Sequence, residues 1–271
     1  NVEYEVIAFD NRNTHYGLCE IYNLCAEKSR YDNLCFAHED IQFDTIGWGE
    51  KIIPKLSETD CGVIGFAGTT ARISALCGIG LSRAHWRSNY IQHMNKGGMK
   101  SCFKNPDRVE FSPVVSVDGM CLFVSRKVWQ KVRFDEKTFP NFHLYDLDFT
   151  TAVFRAGYIN YICNTVIVEH FSEGYYTQEW LAATIDFNNK WRDALPLYVS
   201  GFPCIKNLDR YVRSREFRFI KAMMKSRGKC SWELIDGLCR QYYRKYPFYR
   251  SIVVWFHAYR YRKRWKREGR L

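Results

Sequence analysis

Three short clusters in this sequence carry the residue types that chemistry needs. The first is His38-Glu39-Asp40, which closes the apolar run NLCFA. Carboxylates held at a strand end suit a hard divalent cation, which takes oxygen ligands and keeps positions open for phosphate oxygens. The plainer reading is a solvated turn whose Asp starts the next helix. The second cluster is Tyr145-Asp146-Leu147-Asp148, inside a helical pattern. Acids two positions apart do not share a helix face, so one can line a site while the other caps or pairs. An acid in the first turn of a helix is favoured as the anion. That suits a general base accepting a hydroxyl proton, and equally suits simple charge complementarity at the helix end. The third cluster is Glu169-His170, which closes VIVEH. A His there is either a structural or surface residue or, beside a carboxylate, a further metal ligand.

The elements that must position these groups are legible in the apolar spacing. YEVIAF (4–9) reads as a buried strand that delivers Asp10 and Asn11. GLCEIYNLCAEK shows helical spacing, NLCFA is a strand, IGWGEKIIPKL a short helix and CGVIGFAG a third strand. Strand and helix alternating in this way predict a parallel α/β unit with right-handed crossovers. Its ligands would gather at the carboxyl ends of the strands. Residues 69–113 read as irregular, a mobile flap or a small subdomain. VVSVDGMCLFVS predicts a strand pair or bent strand broken at Asp118-Gly119, with a short helix after it at SRKVWQKV. NFHLYDLDFTTAVFRAGY predicts a helix closing at Gly157, since glycine accepts the left-handed terminator. YICNTVIVEH is a further strand region, and TQEWLAATIDFNNKWRDAL an amphipathic helix.

Composition bounds the class. With 271 residues and 46% hydrophobic content, the chain can bury one sizeable core plus a smaller unit. No apolar run approaches the roughly 18 residues that a membrane-spanning helix needs, and the opening NVEYEVIAFD lacks the basic-then-apolar order of a secretory signal. The eleven cysteines make no C-x-x-C pair, which argues against a zinc site of ordinary spacing. Cys35, Cys121 and Cys163 lie in apolar runs, as small buried hydrophobes would in a reducing, cytosolic protein. Charge is uneven. Residues 205–271 hold 20 Lys and Arg against 5 Asp and Glu, which leaves residues 1–204 at −4 of the net +11. A domain over 1–204 and a basic, aromatic-rich helical extension over 205–271 are expected to do different jobs.

In order and spacing the motifs EVIAFDN, IYNLCAEKSRYDNLCFAHEDI, CGVIGFAG, VDGMCLFVSRKVW, FDE, YDLDFTTAVFRAGY and VIVEH resemble family 2 glycosyltransferases of the GT-A fold, most closely their StrF-like branch. The resemblance covers roughly residues 1–175 and implies a Rossmann-like mixed sheet flanked by helices. It implies that Asp10 and Asn11 contact the nucleotide base and ribose, and that Asn23 faces the nucleotide. His38-Glu39-Asp40 takes the D-x-D position, with Asp40 holding the Mg2+ or Mn2+ that bridges the diphosphate and Glu39 supporting. Asp118-Gly119 would lie beneath the donor sugar and acceptor, Asp146 would be the general base, and His170 would complete the metal site. The implied activity is inverting, metal-dependent transfer from a nucleotide-diphosphate sugar to an acceptor hydroxyl, in glycan or polysaccharide synthesis. The sequence departs from the family in carrying His38 and Tyr145 where acids are usual. The resemblance begins at what would be the family's second strand.

Two other functions compete. A non-catalytic relative would keep the fold as a nucleotide-sugar-binding or assembly module, which the departures at His38 and Tyr145 favour. A nucleotidyltransferase would need a Gly-rich, basic triphosphate loop near the start, and none is present. The tail, with Arg and Lys interleaved with Phe, Tyr and Trp, reads as a helical cap, as an interfacial surface on anionic lipid, or as a nucleic-acid surface. No nucleic-acid module is recognisable, so a peripheral position at the inner face of a membrane, near a lipid-linked acceptor, is the functional expectation.

Overall fold

The computed structural model describes residues 2–79, 81–174, 176–225, 230–247 and 250–270. In chain order the elements are α1 (Leu18–Lys28), β1 (Asn33–Ala37), β2 (Ile41–Phe43), α2 (Trp48–Leu56), β3 (Cys61–Gly65), β4 (Ala67–Thr69), β5 (Ala71–Arg72), β6 (Trp86–His93) and β7 (Met99–Lys104). Then follow β8 (Phe111–Val114), β9 (Ser116–Val117), β10 (Cys121–Ser125), α3 (Arg126–Lys131), α4 (Tyr145–Arg155), β11 (Ile159–Cys163) and β12 (Val168–His170). The chain continues with α5 (Gln178–Trp191), β13 (Leu197–Tyr198), α6 (Leu208–Lys225), α7 (Trp232–Lys245) and α8 (Arg250–Arg267). Two compact units divide these elements. One takes Asn1–Arg72, Ile79–Glu173 and Ala194–Pro203, and the other takes Ile73–Gly78, Gly174–Asp193 and Cys204–Leu271.

The first unit is built on two mixed sheets. One has the order β1-β10-β3-β11-β8, and the other β2-β12-β6-β4-β9 with β7 added on β6. A small third sheet pairs β13 with β5. The sheets are mixed, as the resemblance implies, but the parallel unit expected for the opening strands is interrupted: β10 inserts antiparallel between β1 and β3, and among the described residues only β3–β11 and β6–β12 are parallel neighbours. β1 nonetheless runs in the same direction as β3, because both oppose β10. The core gathers Ile64, Phe66, Cys121, Phe123 and Val168, covered by Ile52 and Leu56 of α2. Burying each of those two side chains contributes about 1.5–3 kcal/mol, enough to hold α2 although Pro54 forfeits one of its internal hydrogen bonds. Cys121 and Cys163 sit in the core as expected, but Cys35 is exposed. Its neighbours Leu34 and Phe36 point inward, so strict alternation turns Cys35 to the other face.

Two sequence expectations fail in the sheet region. YEVIAF forms no strand, and Val6 is 79% exposed. The segment finds no ladder partner; Glu3 and Glu5 instead accept from Tyr31, Ser29 and Arg30 in the turn after α1. The segment 69–113 is also more regular than expected, because β6 and β7 pair over six positions as a hairpin. Gly97 and Gly98 close it at φ +86° and +85°, which β-branched or bulky residues would resist.

The second unit is helical. α5 contributes Leu181 to a core with Phe219, Ile220 and Met223 of α6, Ile235 and Leu238 of α7, and Trp265 of α8. α5 thus packs with the basic helices, and this unit joins 174–193 to 204–271.

Candidate active site

The residues singled out in the sequence come from three elements that end close together. His38, Glu39 and Asp40 occupy the tight turn between β1 and β2. The turn is fixed from both sides: His38 N–H donates to Met120 O (3.1 Å) and Phe171 N–H to Asp40 O (2.9 Å). β12 pairs antiparallel with β2 and parallel with β6, so His170 stands opposite Ile41 and beside Gln92. The result is a cluster in which His38, Asp40 and His170 each offer one ligand atom within 4.8 Å of the others. His170 Nε2 lies 3.6 Å from Asp40 Oδ1, and His38 Nδ1 lies 3.9 Å from the same oxygen.

Neither separation is a hydrogen bond. Asp40 Oδ1 and His170 Nε2 are both buried without a hydrogen-bond partner. Unmatched buried polar atoms cost about 1–3 kcal/mol each, so their convergence fits a cation between them. Two imidazoles and a carboxylate form a mixed nitrogen and oxygen donor set, and of the two expected ions Mn2+ takes nitrogen more readily than Mg2+ does. Burial lowers the His38 pKa below its ordinary value, against the raising pull of Asp118 and Asp40, and so favours the neutral imidazole, the form that could ligate a cation. Glu39 is exposed and stays outside the cluster.

The second half of the site is the loop at 118–120 and the start of α4. Leu144 is the helix N-cap at φ +63°, a left-handed conformation that costs a bulky residue about 1–3 kcal/mol. That bend starts α4 at Tyr145 and sets Asp146 against the loop. Asp146 Oδ2 accepts from Gly119 N–H (2.9 Å), and Tyr145 Oη donates to Gly119 O (3.0 Å). Asp148 is buried at 2% exposure, so the two acids do separate as their spacing requires. Asn160 holds α4 on the sheet: its amide donates to Thr150 O and Val115 O and accepts from Val63 N–H. Burial, followed by the charge of Asp118, pushes the Asp146 carboxyl up to about 7, against the lowering effect of N–H donors that include Gly119.

A bridge joins the halves. His38 Nε2 lies 2.7 Å from Tyr145 Oη, so Asp146, Gly119, Tyr145 and His38 form one hydrogen-bonded series ending at the His38–Asp40–His170 cluster. No Cβ fits at Gly119: it would overlap the Tyr145 hydroxyl and lie 2.8 Å from Asp146 Cβ. Gly119→Ala is therefore expected to destabilise the fold by about 1–3 kcal/mol and to displace both side chains. Urea unfolding with a fluorescence readout checks this, and an unchanged midpoint contradicts it.

The other expected site residues lie elsewhere. Asp10 is exposed and pairs with Arg12 (2.6 Å), which holds its carboxyl below the usual range. Asn11 is exposed, and its carbonyl accepts from Thr14. Asn23, expected to face a nucleotide, is 3% exposed and committed internally. Its amide donates to Phe134 O and Glu136, and accepts from Trp129 Nε1 and Phe134 N–H. Sequence reasoning missed Gln92, whose Oε1 lies 3.3 Å from His170 Nδ1. Only the β6–β12 register brings the two together, and no local pattern marks it.

Residues 1–192 match a family profile described as a glycosyltransferase-like family. No curated protein matches the sequence. Among solved structures, GalNAc-T7 with UDP, GalNAc and Mn2+ aligns at a TM-score of 0.44 and 11% identity, over 75% of this chain and 42% of that one. The chain thus spans less than half the length of that neighbour. A197 from STIV aligns at a TM-score of 0.33 and 14% identity, over 69% of this chain and 76% of that one. The profile covers well over half of the sequence, including the turn at 38–40, the loop at 118–120, the start of α4 and His170: the chain belongs to the glycosyltransferase-like family.

Proposed function

We propose that this protein transfers a sugar from a nucleotide-diphosphate donor to an acceptor hydroxyl, with inversion at the anomeric carbon. The observation that carries the reading is the continuous hydrogen-bonded series from Asp146 to His38, which couples a carboxylate of raised pKa to a converging His–Asp–His cluster. Asp40, His170 and His38 would hold the divalent cation. When bound, Mn2+ or Mg2+ offsets the charge that builds on the departing diphosphate. Asp146 takes the proton of the acceptor hydroxyl, whose oxygen attacks the anomeric carbon as the bond to the diphosphate breaks on the opposite face. A pKa of about 7 suits a base that must be ionised yet willing to take a proton. Asp118 and Gly119 would support the donor sugar, and the exposed Asp10 and Asn11 are available to base and ribose. The test is incubation with UDP-, GDP- and dTDP-hexoses and Mn2+, reading nucleoside diphosphate release and the anomeric configuration of the product by NMR. Release with inverted product is expected. Retained configuration, or no release from any donor, contradicts the reading.

The basic helices support a second element of the proposal, contact with an anionic membrane surface. Among the described residues no helix is long and apolar enough to cross a membrane. α8 instead carries one exposed stripe that begins with Ile252, Trp255, Phe256 and Tyr259 and continues as Lys263 and Lys266. Aromatic groups followed by ammonium groups on one face match the interfacial and headgroup layers of a bilayer. With about 1 kcal/mol per basic residue near an anionic surface, the protein is expected to sediment with vesicles containing 30 mol% phosphatidylglycerol, at about tenfold or more above pure phosphatidylcholine. Trp255→Ala with Phe256→Ala should weaken that association. Equal sedimentation with both vesicles removes the proposal.

A further inference from the structure

We propose that Tyr145 is a positioning residue: it fixes the tautomer of His38 and so makes His38 the third ligand of the divalent cation. This rests on the metal-dependent reading given above. A tyrosine hydroxyl has one proton to give, and that proton goes to Gly119 O at 3.0 Å. Toward His38 the same oxygen can only accept, so the 2.7 Å contact places a proton on Nε2. Nδ1 is left with its lone pair, on the side facing Asp40 Oδ1 at 3.9 Å. A proton on Nδ1 would instead draw the carboxylate into a hydrogen bond near 2.8 Å.

His170 is set by the same logic from the opposite side. Three carbonyls, Ser172 O (2.8 Å), His93 O (2.9 Å) and His170 O (3.2 Å), surround Gln92 Nε2 and its two protons, which fixes the amide orientation. Gln92 Oε1 is then an acceptor for His170 Nδ1–H, and His170 Nε2 keeps its lone pair, 3.6 Å from Asp40 Oδ1. Two imidazole lone pairs and one carboxylate oxygen thus converge with no proton among them. Orientation of ligating histidines by outer partners of this kind typically contributes 10–100-fold to metal affinity. His38 and Tyr145 are accounted for together: each is the other's hydrogen-bond partner.

Binding of Mn2+ alone, without nucleotide, tests this by calorimetry on wild type, Tyr145→Phe, His38→Ala and the double variant. Tyr145→Phe keeps the ring, which packs against Tyr22 and Phe134, and is expected to weaken Mn2+ binding 10–100-fold. The double variant should bind no more weakly than His38→Ala, because Tyr145 acts through His38. Nitrogen-15 NMR of the metal-free protein should show the Nε2–H form of His38 in wild type and a tautomer mixture in Tyr145→Phe. His38→Ala leaves the Tyr145 ring in place and reaches the same loss by a second route. Wild-type Mn2+ affinity in Tyr145→Phe, or losses that add in the double variant, overturns the inference and leaves the metal reading standing. Failure of wild type to bind Mn2+ overturns both.

Discussion

Asp146→Asn is expected to reduce sugar transfer by about 10²–10⁴-fold, the range general-base catalysis supplies, while donor and Mn2+ affinities stay within about twofold. The amide oxygen can still accept from Gly119 N–H, as Asp146 Oδ2 does, so the loop should hold its shape. Wild-type transfer should fall as pH drops below about 7, where Asp146 takes up its proton. The same ionisation affects stability with the opposite preference. In the unfolded chain Asp146 ionises near its ordinary 3.8, but in the folded protein near 7. Between those values the folded state holds a proton that the unfolded state has lost, so stability falls as pH rises through this window and stays lower above it. Asp146→Asn removes that cost. Without metal at pH 8, its melting temperature should exceed wild type by roughly 2–4 °C per kcal/mol relieved, and the difference should shrink toward pH 4.5. Calorimetric melts at the two pH values, with progress curves on the same samples, check both halves. Full activity in Asp146→Asn would remove it from the chemistry.

Asp40→Ala is expected to abolish the response to Mn2+. In wild type, Mn2+ at 100 times its Kd should stabilise the fold by about 2.7 kcal/mol, since only the folded state would bring His38, Asp40 and His170 together as ligands. In Asp40→Ala the two imidazoles remain without the oxygen toward which both converge, and Mn2+ should leave the melt unchanged. Metal-free Asp40→Ala should be no less stable than wild type, because the oxygen removed is buried and unpartnered. Urea titrations with and without Mn2+ read both. An equal Mn2+ increment in the variant would move the ion to other residues.

The sequence made α4 and its closure at Gly157 visible, because an apolar 3.6-residue period ended at a glycine that takes φ +95°. It also marked the turn at 38–40, where a short apolar strand stops at charged residues. YEVIAF misled because its run of apolar residues meets the requirement of a strand except for a partner, and strands exist only as pairs. The β6–β7 hairpin was obscured by its mixed polar and aromatic residues, although Lys96-Gly97-Gly98 was an available turn signal. Leu144 at positive φ had no signal, since leucine is seldom found there. Gln92 and Tyr145 were unreadable for a different reason. Their roles are hydrogen bonds across 78 and 107 positions of chain, and these follow from sheet register and helix placement.

The most direct test is calorimetric titration of UDP, GDP and dTDP into wild type and Asp40→Ala, each with Mn2+ and with chelator. At least one nucleotide is expected to bind wild type only with Mn2+, and Asp40→Ala to bind it under neither condition. Nucleotide binding that is indifferent to Mn2+ and to Asp40, or absent altogether, would contradict this expectation.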